Sequence, residues 1–180
     1  MKGLVFTEFM DMVDQAFSVE VCENLIDMSN LPSKGVYTSV GTYNFSEMET
    51  LVSNLSKLTG TAISDLLKSL GEHLFGRFLA VFPDFFSGFG SSFEFLPRVQ
   101  SYVHLEVCKL YPDAELPAFS CDSSVPGRLL MTYRSTRNIP DLAEGLIRAC
   151  ISHFGESIAV TREDIGGPMS ETRFVLSRRN

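Results

Sequence analysis

Near Leu116 the sequence changes its period, and that change limits the folds open to it. Upstream, apolar residues recur at three- and four-residue spacing, the pattern of helices with one buried face. Downstream come four short β-rich runs, LPAFSCD, GRLLMTYRS, SIAVTRED and ETRFVLSRR, separated by turn residues. One helical stretch, roughly Asp141 to Phe154, sits among them. Neighbouring strands joined so briefly leave no room for parallel crossovers. Helices, two strands, a helix and two strands therefore predict an α+β fold with a four-stranded antiparallel sheet.

The helical part divides at recognisable signals. Leu4, Val5, Phe9 and Val13 space out an opening helix, and Val19 to Met28 a second, with Ser18 as its N-cap. A third opens on a capping box, Ser46 followed by Glu49, and stops at Gly60. A long helix runs from Thr61 to just before Pro83. The stretch SSFEFLPRVQSYVHLEVCKLYP reads as one further helix, with Pro97 near its first turn and Pro112 beyond its end. REDIGGP reads as a turn.

At 180 residues, 44% hydrophobic and 21% charged, the chain is an ordinary globular domain. A net charge of −7 excludes a broad nucleic-acid surface, because phosphate contacts need a basic patch. Fifteen Phe and no Trp make an interior of flat apolar rings, suited to core packing and equally to lining an apolar ligand. Cys22, Cys108, Cys121 and Cys150 form no C-x-x-C, and the first residues hold no signal or membrane segment. Reduced thiols and a cytoplasmic protein, with no membrane partner, are the expectation. The absence of C-x-x-C-H excludes covalent c-type haem attachment.

Tyr133, Ser135 and Arg137 stand at every second residue at the end of the second β-rich run. On an extended strand they share one face, and each offers a hydrogen-bond donor. A solvated polar face is the ordinary reading of such alternation; the mixture of donors favours an anion, a carboxylate or a phosphate. Only His73, His104 and His153 are present. His104 lies beside the stripe Leu96, Val99, Val103, Val107, Leu110, in line with Gln100, Cys108 and Tyr111. A histidine there is ordinarily a hydrogen-bonded packing residue, and a metal ligand is the alternative. His104 with Cys108, completed by Cys150 with His153, is a loosely spaced zinc candidate. GFGSS lacks the lysine of a P-loop, and Glu47 with Glu49 reads as capping and solvation.

MKGLVF, VHLEVCKLYPDAELP and YRSTR, in this order along essentially the whole chain, resemble the haem–nitric oxide/oxygen-binding (H-NOX) family. The Y-x-S-x-R triplet joined to an upstream histidine in an H-L-x-V-x-K-like helix is specific to it. The resemblance implies one haem-binding domain over 1–180. A helical N-terminal lobe (1–60) would pack against a lobe of helices and sheet (61–180), with non-covalent haem b between them. It further implies that Tyr133, Ser135 and Arg137 bind the propionates, that His104 is the proximal iron ligand and that Pro117 presses on the porphyrin. Phe78, Val5, Phe9 and Leu146 would line the pocket.

Family members that hold O₂ carry a distal tyrosine on the helix after the triplet, where this chain has Leu142. Superoxide-like bound O₂ gains from a hydrogen-bond donor far more than NO or CO does, so the expectation is a sensor of NO that also binds CO and discriminates against O₂. NO would weaken or break the bond between His104 and iron. With no room for an output domain before Asn180, the signal would pass in trans to a histidine kinase or a cyclic-di-GMP enzyme. The competing reading is a thiol or zinc redox sensor using Cys108, Cys121 and Cys150. An enzyme is a third, with His73 as its only conceivable distal acid–base group.

Overall fold

The computed structural model describes residues 1–166 and 170–179. Four helices come first: α1 (Gly3–Ala16), α2 (Val19–Ser29), α3 (Phe45–Thr59) and α4 (Ile63–Val81). The Ser18 side chain caps α2, accepting from the Val21 amide at 3.2 Å. Gly60, at φ 72°, closes α3 as expected. The start of α3 differs from the Ser46/Glu49 box. Asn44 is the cap, its Oδ1 accepting from the Ser46 amide at 3.0 Å. Glu47, one turn in, points inward as a buried acceptor for the hydroxyls of Ser33 and Tyr37. It anchors the preceding loop and is no solvated surface carboxylate.

The expected single helix after Ser91 is three pieces: α5 (Ser92–Phe95), a π-helical segment (Val99–Val103) and α6 (His104–Leu110). Pro97 supplies no amide and its ring crowds the preceding turn, which breaks the ladder. The wider π turn then rotates every later side chain relative to the simple helical stripe. Leu110, placed on that stripe by spacing alone, is consequently 55% exposed.

The sheet is as expected in type: β1 (Ala118–Asp122), β2 (Arg128–Ser135), β3 (Ile158–Gly166) and β4 (Ser170–Arg178), in the order β1-β2-β4-β3 and antiparallel throughout. Between β2 and β3 runs α7 (Pro140–His153). The first five residues of REDIGGP, read as part of a turn, are strand instead: Arg162 to Gly166 belong to β3, with a bulge between Asp164 and Gly166. Arg162 pairs with Asp141 and Asp164 there, tying the strand to α7. Gly167 and Pro168 lie outside the described residues.

Two apolar clusters form the core. One gathers Phe6, Phe9, Leu25, Leu51, Leu55 and Leu70 from α1–α4; the other gathers Phe75, Phe95, Leu129, Met131, Tyr133 and Phe174 around α7 and the sheet. Helix α4 serves both, and it crosses α7 where two glycines meet. A Cβ on Gly145 would stand 2.1 Å from the Lys68 carbonyl oxygen, and one on Gly71 2.3 Å from that of Leu142. Backbone cannot yield as a side-chain tip does. Gly145→Ala is therefore expected to destabilise the fold by about 1–3 kcal/mol, the usual range for overpacking. Thermal melting should register a Tm about 2–10 °C lower; an unchanged Tm would show that the two helices are free to separate.

Candidate functional site

His104 stands at the joint between the π segment and α6. Its Nδ1 is buried and has no hydrogen-bond partner. Burial drives its pKa down to about 4, so the ring is neutral at physiological pH. A desolvated imidazole without a proton partner is unusual, because buried polar atoms are nearly always satisfied. Neutral imidazole is also the form that binds metals.

The ring lies 5.7 Å from that of Phe119, which lies 5.6 Å from that of Tyr133. Phe119 and Tyr133 are register partners across β1 and β2. The pairing brings the end of the triplet strand and the His104 helix to one place. Gln100 secures the arrangement, its Oε1 accepting from the Phe119 amide at 2.9 Å and so tying the π segment to β1.

The triplet is not one continuous strand face. β2 ends at Ser135, and Arg137 sits in the following bend, where its amide donates to Ser135 Oγ at 3.1 Å. A serine turn, and not strand pleating, aims the guanidinium. Tyr133 is buried, which pushes its phenol pKa up against the opposing pull of hydrogen bonding with Ser135 and the Ile139 backbone. It stays a protonated donor. Arg137 donates from Nη1 to the Glu115 carbonyl at 2.7 Å and from Nη2 to the Glu115 carboxylate at 2.6 Å. A guanidinium has five N–H donors, so three remain for another anion. A cleft of about 120 Å³ opens beside it, bounded by Leu116, Ala118, Ser135 and Thr136 among others. Pro117 is half-buried immediately before β1.

Phe9 is fully buried in the first cluster, with Val5 and Leu142 packed against it; Phe78 and Leu146 touch both clusters. Three of these five thus belong with the first cluster alone, and two bridge it to the second. Glu8, on α1 and 5% exposed, ties α1 to α4: its carboxylate accepts from Arg77 Nε at 2.9 Å and meets His73 Nε2 at 3.1 Å. His73 is thus engaged by Glu8 between α1 and α4, which removes it as a free distal acid–base group.

The thiol and zinc reading finds no support in the geometry. Among the described residues no three His, Cys, Asp or Glu side chains gather closely enough to hold a metal. Cys108 is exposed while Cys150 is buried, and burial pushes the thiols of Cys121 and Cys150 up to about 11 and 12, away from reactive thiolate. What sequence reasoning missed are Phe119, Gln100 and Glu115. Phe119 could have been found by setting β1 antiparallel to β2; the other two depend on the break at Pro97 and on the course of the loop after α6.

The residues suit a haem on two observations. His104 offers a neutral, half-buried imidazole whose buried Nδ1 has no partner, and Arg137 already holds a carboxylate, the same group that a propionate would bring. Among the described residues no helix is long and apolar enough to cross a membrane.

The Haem-NO-binding family model matches residues 2–162. The H-NOX protein of K. algicida, in its unliganded Fe(II) state, is 38% identical and superimposes with a TM-score of 0.93 over 100% of this chain and 97% of that one. The S. oneidensis H-NOX protein in the Fe(II)NO ligation state is 24% identical, with a TM-score of 0.89 over 100% of both chains. A variant of the T. tengcongensis H-NOX is 21% identical, with a TM-score of 0.90 over 100% of this chain and 98% of that one. The last two speak to the fold alone. Comparison with curated proteins finds no match. With the family model covering nearly all of it and its helices and sheet arranged as in these structures, the chain belongs to the H-NOX family of haem-binding gas-sensor domains.

Proposed function

We propose that this chain is a cytoplasmic nitric oxide sensor built on haem b, a single domain over 1–180 in which the helical lobe 1–60 closes on the haem-bearing lobe 61–180. The observation that carries the reading is His104, neutral and half-buried, with its Nδ1 buried and without a hydrogen-bond partner. Haem b would supply a ferrous iron able to bind diatomic gases.

His104 would hold that iron, and weakening or loss of this contact on NO binding would be the sensing step. Tyr133, Ser135 and Arg137 would hold the two propionates, Arg137 by charge-assisted pairing, and Pro117 would bear on the porphyrin. Val5, Phe9, Phe78, Leu142 and Leu146 form the distal side. None of these five carries a hydrogen-bond donor, so NO and CO are admitted while O₂ lacks the partner that would stabilise it. No turnover is proposed: among the described residues the acid–base pair on α1 and α4, Glu8 and His73, is committed to itself. Release of His104 frees α6, and the change is read in trans by a histidine kinase or a cyclic-di-GMP enzyme.

The test is the absorption spectrum of the reduced, haem-loaded protein with O₂, CO and NO added separately. The expected result is a five-coordinate ferrous band, no persistent O₂ spectrum, and a shift with NO to the band of an iron without histidine. A spectrum retaining histidine at low NO would refute the sensing step. For the propionate residues, Arg137→Gln removes a charge-assisted bond of about 1.5–3 kcal/mol. Haem loss to an excess scavenger should quicken by roughly 10–150-fold, and unchanged kinetics would place the propionates elsewhere.

A further inference from the structure

Lys2 is placed in a way that its type rarely is. Its side chain is 15% exposed, whereas lysines are almost always in water. The ammonium donates to the Val40 carbonyl at 3.0 Å, to Thr42 Oγ1 at 2.9 Å and to the Asp113 carboxylate at 3.1 and 3.2 Å. Three N–H bonds meet three acceptor groups, so the ammonium is saturated. It also lies 5.3 Å from the centre of the Tyr111 ring. Thr42 closes the figure by donating to Asp113 Oδ2 at 2.7 Å.

Three segments meet here. Lys2 immediately precedes α1, which carries Val5 and Phe9. Val40 and Thr42 belong to the loop leading into α3, and Lys2 and Thr42 pair as an isolated β-bridge. Asp113 lies in the connector between α6 and β1, which begins where the His104 helix ends and runs to Pro117. Arg137 grips the same connector a second time, through Glu115.

Mechanics follow from these attachments. Every side chain of α6 is half-buried or exposed, so little core packing resists a shift of that helix. The connector, in contrast, is held at Asp113 and at Glu115. Asp113 is 59% exposed, and exposed ion pairs are individually weak and readily exchanged. A displacement of α6 must therefore either drag Lys2 and Thr42 with the connector or break their bonds to Asp113.

We propose that the Lys2–Thr42–Asp113 junction is the link through which release of His104 reaches the start of α1 and the loop before α3. The inference rests on the reading of His104 as a releasable iron ligand. The junction is the element biased by that event, and Lys2 is its positioning residue.

Hydrogen–deuterium exchange on the haem-loaded protein, with and without NO, tests it. The chains compared are the parent, Lys2→Met, Asp113→Ala and, as control, Lys109→Ala, which removes a pair internal to α6. NO should alter exchange over 104–110 in all four. Over 1–5 and 38–43 it should alter exchange roughly fivefold or more in the parent and control, and under about twofold in Lys2→Met and Asp113→Ala. Asp113 is exposed, so that variant stays informative if Lys2→Met folds poorly. Equal responses over 1–5 and 38–43 in all four chains would overturn the junction while leaving the sensing reading intact. A parent in which NO leaves both the histidine band and α6 unchanged would overturn both.

Discussion

Replacing His104 by glycine is expected to abolish stable haem loading. Among the described residues no group of three or more His, Cys, Asp or Glu gathers to offer an alternative metal site. Losing even a residue that merely supports a metal ligand costs roughly 10–100-fold in affinity, so loss of the ligand should cost at least that. Haem titration of the variant should show this as a weakened, nonspecific Soret band. Glycine leaves a space where the buried ring was, and added imidazole should restore the five-coordinate ferrous spectrum. Restoration separates a missing ligand from a damaged fold. A His104→Gly protein with the parent's haem affinity and spectrum would dismiss His104 as the ligand and would reopen the alternative that it is only a packing histidine.

The second large effect concerns the gas that the pocket rejects. Leu142 lies in the first turn of α7, half-buried and packed against the first cluster. Leu142→Tyr would bring a phenol to this wall. A hydrogen bond to a charged group contributes about 1.5–3 kcal/mol, which is roughly 10–150-fold in an equilibrium. The ferrous variant should acquire a persistent O₂ spectrum that the parent lacks, with NO affinity changed far less. If the parent itself holds O₂, a donor stands on the distal side that none of Val5, Phe9, Phe78, Leu142 and Leu146 provides. If the variant still fails to hold O₂, residue 142 does not face the gas.

Much of this protein could be read along the chain. The change of period near Leu116, the cap at Ser18, the stop at Gly60 and the antiparallel sheet all depend on local spacing and turn chemistry, which are properties of short segments. Family membership was equally legible, because Y-x-S-x-R and the histidine helix keep their residues adjacent or nearly so. The capping box at Ser46 failed where two local solutions competed: Asn44 was the nearer cap, and Glu47 had a buried use that no local rule reveals.

Other features needed the third dimension. Spacing put His104 at the edge of an apolar stripe, but only the break at Pro97 and the π turn after it decide where the ring points, and burial alone decides that it is neutral. The shared strand face read for the triplet stops short of its last member, because β2 ends at Ser135 and a bend, not a strand, places Arg137. His73 was ambiguous until Glu8, sixty-five residues away in sequence, was found beside it. Segment type and motif identity are short-range quantities that the order of residues carries by itself. Desolvation, unpaired polar atoms and contacts such as Lys2 with Asp113 arise only when distant segments exclude water together, so the tertiary structure alone could decide them.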